Sequence, residues 1–169
     1  AENDVFLYND LVSAGDDVYV WAEGYLDSIA TIEAVGDIDL GAYEEAYISG
    51  PVTSTTGDIA IEAGKEIEIS ADITAVDGTV NLDAVTGFVE IDGKVTAAES
   101  IVIAAGDYVE TYAAGILTAG DDVIVMAGTD VTLGGAVNAG ADVVVDAGDD
   151  VEVKAPVVAG SEIAINAQE

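Results

Sequence analysis

The sequence contains no cysteine, no histidine and no arginine, and its only basic side chains are Lys65, Lys94 and Lys154. Without cysteine there are no disulfides and no thiolate metal sites, and the redox compartment leaves no mark on the composition. Without histidine or arginine, the usual base for a hydroxyl nucleophile and the usual clamp for phosphate or uronate are missing, so an enzyme is not expected. Carboxylate pairs can hydrolyse glycosides, but here carboxylates recur along the whole chain and no pair stands apart. No run of about 18 apolar residues occurs, so no membrane span is expected. Proline is confined to Pro51 and Pro156, and no stretch sustains apolar residues at helical spacing, so helix is expected to be almost absent.

Positive charge is the other scarcity. Against three lysines stand 34 Asp and Glu residues, a formal net charge of −31. Nucleic acid and anionic membrane surfaces are repelled by such a chain, which leaves divalent cations or a basic surface as charged partners. Disorder is nevertheless not expected, because 51% of the 169 residues are hydrophobic, enough for a core.

What is present is a repeat. AGDDVIVMAGTDVTLGGAVN from Ala119 is followed at Ala139 by AGADVVVDAGDDVEVKAPVV. Val123/Val125 match Val143/Val145, and Val131/Leu133 match Val151/Val153. Copies begin at Ala14, Ala34, Thr55, Ala75, Ala97, Ala119, Ala139 and Ala159, a period of 20–22 residues with no linker between them. Each copy holds three short extended pieces separated by turns, and is too small to bury its own apolar face. A fixed period of that length predicts a solenoid.

The expected fold is all-β: one domain over 1–169, a parallel β-solenoid of about eight rungs with three short strands each. Right-handed coiling, a β-helix, is the default for parallel crossovers. Stacked rungs about 4.8 Å apart would carry ladders of Val, Ile and Leu inside, and eight of them would stand about 40 Å tall. Near Leu26 to Ile29 the alternation is unclear, and YLDSI is expected to carry a bulge.

The ends differ from the middle. Residues 1–13 match the second half of a copy and residues 159–169 the first half. The half-copies read either as an arbitrary boundary or unrepeated tail or, as expected here, as head-to-tail stacking, with Ile163/Ile165 and Val5/Leu7 of the next subunit completing one rung. Neither end shows a capping helix or a Lys-rich edge, the usual devices against edge-to-edge growth. A heterologous contact that does not close makes a filament. The Ala1-Glu2 start suits a mature end left by cleavage after small residues.

Acidic columns follow from the period. Asp17, Asp37, Asp58, Asp122, Asp142 and Glu162 share the slot before the first strand, and Glu45, Glu66, Asp130 and Asp150 the slot before the second. They read either as a solvated acidic face or as weak calcium sites, the aspartates being the candidate ligands. Neither an EF-hand loop nor the glycine-rich calcium nonapeptide is present. A lateral contact surface is expected at the outward residues Val102, Ile124 and Val144, together with Tyr19 and Tyr47. Seven aromatics, Phe6, Tyr8, Tyr19, Trp21, Tyr25, Tyr43 and Tyr47, crowd the first 47 residues, as cover for rung faces or as a lateral or glycan-stacking patch.

AGDDVIVMAGTDVTL, AGADVVVDAGDDVEV and TTGDIAIEAGKEIEI resemble the filamentous-haemagglutinin-type repeats of secreted bacterial adhesins. That resemblance implies a right-handed β-helical rod, an extracellular or cell-surface location and adhesion or matrix roles. The compact repeat also resembles bactofilins, β-helical proteins that polymerise end to end. The combined expectation is a structural subunit of an acidic extracellular filament, stabilised by cations. The alternative is a monomeric adhesin stalk or a calcium- or glycan-binding module.

Overall fold

The computed structural model describes residues 3–13 and 15–168. Ala1, Glu2, Ala14 and Glu169 lie outside the described residues, and with them the start of the first copy and the Ala1-Glu2 end. The described chain winds into eight turns of three strands each and contains no helix. Like strands of successive turns pair in parallel, so the coil has three sheets of eight strands. Face A runs from Val5–Leu7 to Val151–Val153, face B from Leu11–Ser13 to Val157–Ala159, and face C from Val18–Ala22 to Ile163–Ala167. Among the described residues no helix is long and apolar enough to cross a membrane.

The period-2 pattern decides which side chains enter. On face C, the first and third residues of each strand are the large apolar ones, as in Ile59/Ile61, Val80/Leu82 and Val143/Val145, all fully buried. Faces A and B add inward pairs such as Ile67/Ile69 and Ile73/Ala75. In-register pairing stacks like on like: Val80 lies between Ile59 and Ile101, and Leu82 between Ile61 and Ile103. Where face B bends towards face C, the inward residue is always Ala or Ser, because the corner admits only a small side chain.

Two expectations are corrected. No bulge interrupts YLDSI: Leu26, Asp27 and Ser28 pair in register with Val5–Leu7 below and with Ala46, Tyr47 and Ile48 above. Leu26 and Ser28 both point inward, and a buried serine in an apolar slot hid the alternation. The half-copies at the two ends arise from where the count began. Counted from Val5, every sheet holds eight strands, so the coil consists of complete A–B–C turns.

Candidate functional site

The acidic columns are hydrogen-bond ladders running up the corners. Asp37 donates its N–H to Asp17 Oδ1 at 2.9 Å, Asp58 to Asp37 Oδ1 at 2.9 Å, and Thr79 to Asp58 Oδ1 at 2.7 Å. The column resumes with Asp142 donating to Asp122 Oδ1 at 2.9 Å and Glu162 to Asp142 Oδ1 at 3.0 Å. In the gap, Ser100 Oγ accepts the Asp122 N–H at 3.4 Å. The corner before face A repeats the device: Asp150 donates to Asp130 Oδ1 at 3.0 Å, and Tyr25 to Asp4 Oδ1 at 3.0 Å.

The reason lies in the backbone geometry. Within a parallel ladder a residue's N–H and C=O point to the same neighbouring strand. The carbonyl of Asp37 accepts from Val18 N–H in the turn below at 2.8 Å. Its N–H also points down and goes to the Asp17 carboxylate, while the Asp16 carbonyl below accepts from Gly36 N–H at 3.4 Å. Such a side-chain acceptor is worth about 0.5–2 kcal/mol, on the scale of a helix N-cap. Carboxylates stacked ~5 Å apart repel by about 1 kcal/mol per pair in water, so amide capture offsets much of what the column costs.

Asp17, Asp37, Asp58, Asp122, Asp142, Asp130 and Asp150 therefore sit at corner slots on two edges of the coil, each within one inter-turn ladder. Among the described residues no three acidic side chains converge as metal ligands.

A second acidic array covers the outside of face A. Tyr47, Glu68, Glu90 and Glu110 stand directly above one another. Tyr108 and Tyr112 donate to the two oxygens of Glu90 at 2.7 and 3.1 Å, and Tyr47 donates to Glu45. Burial pushes the carboxyls of Glu66 and Glu68 above the ordinary range, with Glu45 adding to the shift at Glu66 and Glu90 at Glu68. The hydrogen bond to Glu90 holds the Tyr112 hydroxyl up at about 12. Tyr108 and Phe88 stack at 4.8 Å between centroids. The sequence shows these aromatics, but only the register shows that they clasp one carboxylate.

The lateral candidates separate into two groups. Val102, Ile124 and Val144 form one ladder on the outside of face C, half-buried by one another. Tyr19 lies in the same column near the other end of the coil, exposed, while Tyr47 belongs to face A. The end candidates lie at opposite ends of the coil: Val5 and Leu7 on the lowest strand of face A, Ile163 and Ile165 on the topmost strand of face C. Continuing each sheet in register would place Val5 and Leu7 of a second copy on Val151 and Val153. Ile163 and Ile165 would receive Val18 and Val20, partners that sequence reasoning did not single out.

No family model matches the chain, and neither a curated protein nor a solved structure does.

Proposed function

We propose that this protein is a structural rod that stacks head to tail into an acidic extracellular filament. The observation that carries this reading is the outward column of face B. It runs Val12, Glu33, Thr53, Thr74, Thr96, Thr118, Asn138, Val158. Six polar positions separate two apolar ones, and the apolar ones occupy the first and last turns, 61% and 54% exposed. Placing one copy on another in register sets Val12 on Val158, and the two solvent-exposed valines cover each other.

The interior supports the same arrangement. Both end turns hold all three faces in the same order, so a second copy placed in register would extend all three sheets at once. Covering a half-exposed Val or Ile contributes about 1 kcal/mol each, and the edge amides and carbonyls gain partners along three strands. The corner ladders continue as well, Asp150 facing the N–H of Asp4 in the next copy and Glu162 that of Asp17. Repulsion between copies of charge −31 opposes contact, which is where cations enter, condensed along the columns. The extracellular location rests on the resemblance to secreted adhesin repeats.

Electron microscopy and sedimentation test the reading. At micromolar concentration the chain is expected to form thin fibres and to sediment far above its 17.0 kDa mass, more so with calcium. Ile163→Lys, folded by circular dichroism, is expected to remain as single subunits. Parent particles only about 40 Å long, or fibres unchanged in Ile163→Lys, would overturn it.

A further inference from the structure

Faces C and A meet at a corner whose inward slot is alanine in turn after turn: Ala42, Ala63, Ala84, Ala105, Ala127 and Ala147. So many small side chains leave the corner concave. A cleft of about 480 Å3 between Trp21, Tyr43 and Val85 adjoins one of about 460 Å3 that runs on from Val85 past Met126 towards Gln168. Val85 lines both and stands exposed between them, so the two clefts lie end to end along the coil axis and together make an interrupted groove.

The groove is built for a ligand with apolar stems and positive charge. Trp21 stands beside Gly41 in the ladder, and a Cβ on Gly41 would lie 2.1 Å from the indole Cε3 and Cζ3. Only glycine there lets the ring lie flat on the sheet, where it stays 45% exposed, with Tyr43 71% exposed nearby. Flat aromatic faces attract ammonium and guanidinium groups and pack against their alkyl stems. Glu44, Glu62, Asp83 and Asp146 line the groove against a single cation, Lys65, which pairs with Glu44. A cleft lined by one sign of charge concentrates the opposite sign, and this one sits in a molecule of charge −31. An anionic chain is repelled, and a neutral one gains nothing from that field.

We infer that the groove is a docking site for an extended polypeptide segment rich in lysine and arginine, anchored on Trp21 and Tyr43. Its alkyl stems pack beside the exposed Val85 and Met126, and its charges meet Glu62, Asp83 and Asp146 in succession. The inference holds for a single subunit and for a filament alike.

The only tryptophan in the chain is Trp21, so its fluorescence reports the site directly. Octalysine titrated at about 0.15 M salt is expected to change the emission saturably. The triple variant Glu62→Gln/Asp83→Asn/Asp146→Asn is expected to bind about tenfold more weakly. A charge-matched control away from the groove, Glu33→Gln/Glu110→Gln/Glu152→Gln, is expected to stay within about twofold. An emission change that never saturates, equal weakening in both variants, or a response to a neutral oligoglucose but not to octalysine would overturn the proposal. Circular dichroism of both variants separates lost binding from lost fold.

Discussion

The last two turns of the coil share one apolar pattern and have quite different surroundings. Val143 and Val145 are completely buried, whereas Ile163 and Ile165, directly above them in the same sheet, are 46% and 43% exposed. The difference is that a described turn lies on both sides of Val143 and Val145 and on one side of Ile163 and Ile165. In a solenoid the apolar pattern fixes which way a side chain points, but only the neighbouring turn takes it out of water. A strand in the middle is stabilised from both sides, and the last described strand of a sheet from one.

The largest expected effect separates these positions on stability. Ile103→Ala in the middle should lower unfolding free energy by about 2–5 kcal/mol, measured by chemical denaturation. Ile163→Ala should cost under about 1 kcal/mol in the isolated subunit while weakening assembly. Equal losses at the two positions would break the comparison.

A second contrast uses glycine. A Cβ on Gly128 would lie 2.1 Å from the Gly106 carbonyl oxygen, so backbone must move, whereas nothing lies within 4 Å of one on Gly15. Gly128→Ala should destabilise by about 1–3 kcal/mol, and Gly15→Ala should leave the single subunit unchanged. In a stack, Gly15 of one copy meets the Gly160 carbonyl of the next, by analogy with the contact of Gly160 on the Gly140 oxygen at 2.0 Å. Gly15→Ala should therefore be silent in melting experiments on subunits and visible in fibre yield.

The corner ladders give a smaller effect. Asp37→Ala removes the acceptor for Asp58 N–H and should cost about 1 kcal/mol. Asp37→Asn keeps an acceptor oxygen and removes a charge, so it should be as stable as the parent or more so at low salt. If Asn and Ala behave alike, the carboxylate is not serving as a stand-in carbonyl.

The smallest effect is on pH dependence. Unfolded, Glu66 and Glu68 lose their protons near the ordinary 4.5, while the folded chain holds them to higher pH. The stability they contribute is full below that value and fades as pH rises through the raised values. The melting temperature should accordingly be higher near pH 5 than near pH 7, and Glu68→Gln should narrow the gap more than Glu33→Gln does. A gap unchanged in Glu68→Gln would place the pH effect in the overall charge.

How far the sequence carried depended on whether a feature repeats within the strand pattern. The period and the inward pairs repeat in every turn and were legible, while the half-copies at the ends reflected only where the count began. Where an inward slot held a small polar residue, as at Ser28, the alternation broke and a bulge was expected that does not exist. The aspartate columns were legible as columns, but a list of carboxylates does not show that each takes an amide from the turn above. A solvated face and weak metal ligation were therefore the two expectations that stood open. The groove was hidden for a similar reason. It runs along a corner of Ala and Gly, residues that read as turn punctuation, and only the stacking of Trp21 over Gly41 reveals a surface.

The central claim is in-register head-to-tail continuation, and the absence of native cysteine allows a direct measurement. Val12→Cys/Val158→Cys puts one thiol on each end turn of face B. Continuation of the sheet sets them about 4.8 Å apart at Cα across the junction, within disulfide range. Mild oxidation followed by a non-reducing denaturing gel should show a ladder of covalent multimers from the double variant, and no species beyond dimers from either single variant. Monomers throughout, or dimers from a single variant as abundant as the double variant's products, would contradict the account.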